Sequence, residues 1–217
     1  MENENNIRFA MLFSGGKDSV MALGKMIKAG HAPVCIVVAK QLIGLSHMHL
    51  LRKSILNRYS ESLGLPLIEV FMEHKYDLEI WDKTVKKLIA DFQIDALCSG
   101  DIAFEYSRDN LRTIAENNGI ELYTPLWGID EDSIARELKK YKIVIKSLSP
   151  QYGIDELVGK FLDEETIKIL HDKGMELKDD TSEIHTIAVD GPIFSQPIKY
   201  ELKKIIKNDK IVMVDII

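Results

Sequence analysis

Ser14-Gly15-Gly16-Lys17-Asp18-Ser19 follows the apolar run Ile7–Phe13 and precedes a segment whose apolar residues recur at helical spacing. A strand that turns through paired glycines into a helix start suits an anion. Glycine reaches backbone angles closed to other residues and lets the main chain approach a ligand closely. The N–H groups of the loop and first helical turn are then available to a phosphate, and the helix dipole favours negative charge there. Lys17 adds a point charge, Ser14 and Ser19 add hydroxyl donors, and Asp18 suits a magnesium ion carried by a nucleotide. The spacing G-x-x-x-x-G-K-[ST] of the common NTPase loop is absent, as is the dinucleotide fingerprint G-x-G-x-x-G. The stretch therefore reads as a nucleotide phosphate site of another kind, the bland alternative being a turn with no ligand.

The chain of 217 residues is 46% hydrophobic and 29% charged, ordinary for a globular protein with a sizeable core. A net charge of −6, with only six arginines among 28 basic residues, argues against a nucleic-acid partner. The most basic stretch, Lys199–Lys210, is interleaved with apolar residues and reads as a solvated strand face. Cys35 and Cys98 are too few and too far apart for a disulfide framework or zinc site, and both lie in apolar runs, as buried thiols do. The start MENENN lacks the apolar core of a signal peptide, and no apolar run approaches 18 residues. A cytoplasmic protein with no membrane partner is the expectation.

Up to residue 124, strand and helix alternate. Strands are expected at Ile7–Phe13, Pro33–Ala39, Leu67–Phe71, Ile94–Cys98 and Ile120–Tyr123, and helices at Ser19–Ala29, His49–Leu63, Leu78–Phe92 and Ser107–Asn118. That order predicts a doubly wound parallel sheet with helices on both faces, whose ligands gather beyond the carboxyl ends of the strands. Both the Ser14–Ser19 loop and Gly100-Asp101 would lie on that rim. From Pro125 the regularity is lost. A helix at Asp130–Lys140, a strand at Tyr141–Leu148, helical stretches at Leu157–Phe161 and Glu164–His171, a strand at Ile184–Val189 and a hairpin about Asn208-Asp209 predict a smaller α+β domain. The expected domains are 1–124, binding the nucleotide, and 125–217, binding the substrate.

The loop resembles the SGGxDS signature of the N-type ATP pyrophosphatases, the PP-loop superfamily with a HUP-like fold. Four blocks extend the resemblance over nearly the whole chain to the diphthine–ammonia ligase family: FSGGKDSVMAL at 13–23, GDIAFEYSR at 100–108, TPLWG at 124–128 and EIHTIAVDGPIF at 183–194. The last is similar to that family's ending GEYHTFVVDGPLF. The chain departs from the family where a GENGE block is replaced by Asp179-Asp180-Thr181-Ser182-Glu183, where Asn110 and Arg112 follow the second block, and in the loose match of Ser46–His49. Thiolases and glutamine-dependent members of the superfamily generally need cysteines or length that this chain lacks.

The resemblance implies an ATP-dependent, AMP-forming amide ligase. A substrate carboxylate attacks the α-phosphorus, pyrophosphate leaves, and ammonia displaces AMP from the acyl-adenylate. The implied acceptor is diphthine on elongation factor 2. Alternatives are a small-metabolite carboxylate on the same fold and a catalytically silent nucleotide-binding regulator. Expected ATP-binding residues are Ser14, Gly15, Gly16, Lys17, Asp18, Ser19, Gly100 and Asp101, with Mg2+ on Asp18. Expected catalytic residues are Lys17, Asp18, Arg108, Glu183 and His185. Arg108 would pair with a carboxylate or phosphate, its plain alternative being a surface ion pair. Glu183 and His185, two apart in a strand, share a face and would orient ammonia, accept its proton or hold the substrate's cationic group. For Asp101 the plain alternative is a helix cap, and for Asp190 a turn. His47 and His49 are rejected as a metal site for want of a third ligand. Assembly as a homodimer is left open.

Overall fold

Each apolar run before residue 124 becomes a strand because it can be covered on both faces. The computed structural model describes residues 6–41, 51–74, 76–178 and 184–217. Strands β1 (Arg8–Leu12), β2 (Ala32–Gln41), β3 (Leu67–Met72), β4 (Ala96–Cys98) and β5 (Glu121–Tyr123) form one parallel sheet in the order β3-β2-β1-β4-β5. The order reverses direction at β1 and β4, so the switch point lies between the strands that carry the glycine loop and Gly100.

On one face Ala10, Cys35, Val37, Val70, Met72 and Leu97 meet Trp81, Val85 and Leu88 of helix α3 (Leu78–Phe92) and Leu111 and Ile114 of helix α4 (Glu105–Asn117). The strand residues of opposite parity, Phe9, Met11, Ile36, Ala96 and Cys98, are equally buried, so the second face is covered too. Helix α1 (Lys17–Lys28) joins β1 to β2, and the right-handed crossover rule puts it opposite α3 and α4. Both cysteines are free and buried. Burial pushes the Cys35 thiol up to about 12 and raises that of Cys98 further. Neither is a ready nucleophile.

A second sheet is antiparallel. Strands β6 (Lys142–Leu148), β7 (Ile184–Asp190), β8 (Leu202–Lys207) and β9 (Val212–Ile216) take the order β7-β6-β9-β8. Helices α5 (Glu131–Leu138) and α6 (Glu164–Asp172) are capped as their sequences direct. Asp130 accepts the Ser133 N–H at 2.8 Å, and Asp163 and Thr166 form a reciprocal capping box. Glu131 clamps the end of α6 and the turn beyond it, meeting His171 Nε2 at 2.8 Å and accepting the Leu177 N–H at 2.6 Å. The hairpin turns at Asn208, whose Oδ1 accepts from the N–H groups of Lys210 and Ile211. Every residue of β8 is exposed, in keeping with the solvated face expected for Lys199–Lys210.

One expectation is corrected. Leu157–Phe161 is not helical: a single 3-10 turn at Asp155–Leu157 precedes Gly159, whose φ of +90° stops any helix. Residues 159–162 instead run along β6, with Gly159 N–H bonded to Ile145 O at 2.8 Å and Leu162 N–H to Ile143 O at 2.7 Å.

The chain divides into two compact units that are discontinuous in sequence. Residues 6–13, 18–41, 65–74 and 76–127 make the parallel-sheet unit, and residues 14–17, 51–64, 128–178 and 184–217 the antiparallel-sheet unit. Helix α2 (Lys53–Leu63) and the first half of the glycine loop thus belong with the second sheet, which a single cut after residue 124 does not capture.

Candidate functional site

β1 pairing continues one residue past the strand, with Phe13 N–H bonded to Val37 O at 2.8 Å, before the chain enters the glycine loop. In the antiparallel-sheet unit, the free edge of β7 meets residues 15–17. Ala188 N–H donates to Gly15 O at 2.8 Å, and Lys17 N–H donates to Thr186 Oγ1 at 3.0 Å. Gly15 has φ +75°, and a Cβ there would stand 2.8 Å from Leu51 Cδ1 and 2.9 Å from the Tyr59 ring. A Cβ on Gly16 would lie 3.3 Å from Thr186 O. Backbone angle therefore explains the first glycine, and close approach to a strand edge the second. Ser14 Oγ turns back to accept the Gly16 N–H at 3.2 Å. The amides of Gly16 and Lys17 are thus engaged internally here, in contrast with the expectation that they face a phosphate.

Tyr59 of α2 braces this loop. Its ring is fully buried, and its hydroxyl lies 2.5 Å from Ala188 O and 3.2 Å from Gly15 O, with a single proton for the two carbonyls. Burial raises its pKa well above the ordinary value, so it stays protonated and can donate. The same helix is anchored at both ends. Arg52, the residue preceding it, forms a two-point ion pair with Asp215 at 3.2 and 2.6 Å, and Ser62 near its end holds the 195–196 segment.

In the parallel-sheet unit, the loop after β4 packs onto Asp18 and Ser19. A Cβ on Gly100 would stand 2.7 Å from the Asp18 carbonyl carbon and 2.9 Å from Ser19 N, so only glycine fits. Asp101 Oδ2 accepts from Ser99 Oγ at 2.6 Å. It does not cap α4, because Phe104 takes that position. Lys17 and Ser19 are buried polar residues, at 5% and 4% exposure.

Arg108, in the second turn of α4, lies flat on Trp127 with its guanidinium carbon 3.5 Å from the ring centroid. Its Nε is buried with no hydrogen-bond partner among the described residues, and the Asp109 carboxylate stays 3.9 Å away. The surface ion-pair alternative is thus a minor part of its setting. Asn110 and Arg112, where the sequence departs from the resembled family, bond within the helix, to Tyr106 O at 2.6 Å and Asp109 at 3.1 Å.

The expected residues fall into two groups. Asp18, Ser19, Gly100 and Asp101 come together in the parallel-sheet unit, which also holds Arg108. Ser14 to Lys17 come together with β7 in the other unit, where His185 precedes Thr186 and is paired across the ladder with Ser147. Glu183 lies outside the described residues, as do His47, His49 and the 179–183 block. Asp190 turns its carboxylate to the Gly191 N–H and to Lys142, the turn role. Among the described residues no cluster of three His, Cys, Asp or Glu could hold a metal, and no helix is long and apolar enough to cross a membrane.

Sequence reading missed Tyr59, Thr186 and Lys146. Tyr59 looks like any apolar position on a helix face. Lys146 is 5% exposed in β6 at a register shift, and burial lowers its pKa to about 8 despite the attraction of Asp215. Beside it the Ser147 hydroxyl is buried without a hydrogen-bond partner among the described residues. A lysine inside an otherwise apolar strand, IVIKSL, was the available signal.

Fold and loop define a doubly wound α/β protein whose glycine loop lies beyond the first strand of its parallel sheet. The model of the diphthamide synthase N-terminal domain family matches residues 7–122, and the chain belongs to that family. Across nearly its whole length the chain is similar to proteins named diphthine–ammonia ligase. The Homo sapiens protein is 23% identical over 228 aligned residues, covering 92% of this chain and 85% of that one. Those of Bos taurus and Danio rerio are 21% and 22% identical, covering 93% and 88% of this chain and 86% of each relative. Among solved structures, the U34-tRNA thiolase NcsA from Methanococcus maripaludis with its 4Fe–4S cluster aligns at a TM-score of 0.41 and 16% identity, over 63% of this chain and 57% of that one.

Proposed function

We propose that the protein is an ATP-dependent, AMP-forming ligase that adenylates a substrate carboxylate and transfers it to ammonia, with diphthine as the acceptor. The observation that carries the reading is the fit of Gly100 against Asp18 and Ser19, two blocks of the family signature in backbone contact at the sheet's switch point. Family membership and the shared name of the full-length relatives support it.

The residues suit the task. Glycines at 15 and 16 leave the loop without side chains where a polyphosphate would lie, and Lys17 and Ser19 supply charge and a hydroxyl. Asp18 would hold a magnesium ion carried by the nucleotide. Magnesium supplies charge neutralisation of the pyrophosphate. ATP is a substrate: the acceptor carboxylate oxygen bonds to the α-phosphorus as the bond to the pyrophosphate oxygen breaks. Ammonia then attacks the acyl carbon, AMP departs, and the ammonium proton passes to a base.

For that proton His185 is the candidate, with Glu183 two residues before it in sequence. Arg108, whose Nε has no hydrogen-bond partner among the described residues and whose contact with Asp109 is a long 3.9 Å, is suited to a carboxylate. Such a reaction depends on placement and charge stabilisation more than on covalent catalysis.

The test is product analysis with purified protein, ATP, ammonium and elongation factor 2 bearing diphthine. Pyrophosphate and AMP should form in equal amounts and only when both co-substrates are present. Release of ADP and phosphate, or release independent of ammonium, would overturn the reading. The altered block at 179–183, without the family's two glycines, favours a second reading in which the acceptor is a small-metabolite carboxylate. Ammonium-dependent AMP formation with such an acid but not with diphthine would select it.

A further inference from the structure

Strand β8 ends the antiparallel sheet. In the order β7-β6-β9-β8 it pairs with β9 on one side, and among the described residues no strand follows on the other. Asn208 N–H bonds to Ile211 O, and Lys207 and Ile206 stand opposite Val212 and Met213. Antiparallel bonding alternates, so Ile206 turns its main chain toward β9 while the N–H and C=O of Ile205 and Lys207 point away from it. Those outward groups form an open edge that can accept another strand.

The side chains leave that edge open. Ile205 stands opposite Val214, which is 2% exposed, so it lies on the face that is buried one strand inward. Ile205 itself is 57% exposed, and Leu202 and Ile206 are exposed beside it. Lysine alone blunts an edge against unwanted pairing, but aliphatic side chains set among the lysines invite it.

Charge selects the occupant. Residues 199–210 carry five lysines (199, 203, 204, 207 and 210) against Glu201 and Asp209, a net +3 within a chain of net −6. Lys203 pairs with Glu201 at 2.5 Å and Lys207 with Asp155, which leaves Lys199, Lys204 and Lys210 without an acidic partner among the described residues. A second copy of the chain would bring the same positive strand to this edge, and like charges oppose that pairing. The phosphates of a nucleic acid or a lipid surface would meet the lysines but have no use for a main-chain edge. An extended acidic peptide satisfies both.

We propose that β8 is a docking edge for an extended, acidic segment of a partner protein. The segment adds as an outer strand through the main chain of Ile205 and Lys207, covers Ile205 with apolar residues at alternate positions, and sets its carboxylates near the lysines. The inference stands apart from the ligase reading.

The test titrates the full-length protein with a labelled octapeptide of alternating glutamate and valine. The peptide should bind, weaken as salt is raised, and slow amide hydrogen exchange at Ile205 and Lys207. An octapeptide of alternating lysine and valine should bind at least about tenfold more weakly. Of two forms N-methylated at every glutamate or at every valine, one should lose about tenfold and the other bind as the parent peptide does, since alternate amides of a strand point opposite ways. Lys204→Glu and Ile205→Thr, both at exposed positions, should weaken the acidic peptide about tenfold and about threefold with unchanged circular dichroism. No binding, equal affinity for the basic peptide, equal affinity for both N-methylated forms, or exchange protection away from β8 would overturn the proposal. So would displacement of the peptide by a single-stranded oligonucleotide or by phosphatidylserine vesicles. Dimerisation of the protein that the peptide blocks would give the edge to a second copy instead.

Discussion

In the parallel-sheet unit, the loop after β4 reaches Asp18 and Ser19 by van der Waals approach of backbone to backbone, with Gly100 leaving no room for a side chain. In the antiparallel-sheet unit, β7 reaches Gly15 and Lys17 by hydrogen bonds from a strand edge, one from main chain and one through Thr186 Oγ1. A parallel sheet buried on both faces offers only the ends of its strands. An antiparallel edge strand has a row of N–H and C=O groups ready to accept another segment. The first contact is therefore sensitive to volume and the second to hydrogen-bonding capacity.

Substitutions that separate these two sensitivities sharpen the contrast, and they differ in size. Lys17→Ala, which removes a charge from the segment that β7 holds, should slow pyrophosphate release about 10²–10³-fold with little loss of stability, by analogy with deletion of a charge-stabilising donor. Activity within tenfold of the parent would remove Lys17 from the chemistry.

Lys146 comes next. Its folded pKa of about 8 lies below the unfolded value near 10.5, so at neutral pH the folded state holds a proton at a cost. Between about pH 8 and 10.5 the unfolded chain binds more protons than the folded one, and stability rises with pH. Lys146→Met should remove that increment, on the order of 3 kcal/mol at 1.36 kcal/mol per pKa unit. The check is the difference between parent and variant in urea midpoints across that window. Parallel curves would show that Lys146 is not desolvated.

Gly100→Ala should destabilise by about 1–3 kcal/mol, the range for overpacking a tight interior. The clash is with main chain, so Gly100→Ser should be no better. A melting temperature within a degree of the parent would show that the rim yields. Thr186→Val keeps the shape and loses the acceptor for the Lys17 N–H, at a cost of about 1 kcal/mol, while Thr186→Ser should be close to the parent. Equal loss in both variants would mean that the edge contact depends on packing rather than on the hydrogen bond.

Much of this was legible in local pattern. The five parallel strands and their connecting helices follow from apolar runs and periodicity, and spacing alone set the loop apart from the common NTPase and dinucleotide patterns. Two helix caps, Asp130 and Asp163, lie where a short acid precedes a helix. The errors have equally local causes. Leu157–Phe161 carries enough apolar residues for a helix, but Gly159 at φ +90° turns it into a strand-like run along β6. Tyr59 was invisible as a site residue because its apolar ring and its polar hydroxyl serve different partners, and only the ring shows in a periodicity.

Residue order alone established the parallel sheet and the place of the glycine loop between its first strand and first helix, because strand, turn and helix signals act over neighbours a few positions apart. Tertiary structure alone decided that residues 14–17 and 51–64 pack with the antiparallel sheet, that Gly100 is required by the Asp18 backbone, and that Arg108 stacks on Trp127. Those facts depend on contacts between segments as much as 169 residues apart in the case of Lys17 and Thr186, and no local preference encodes such a meeting.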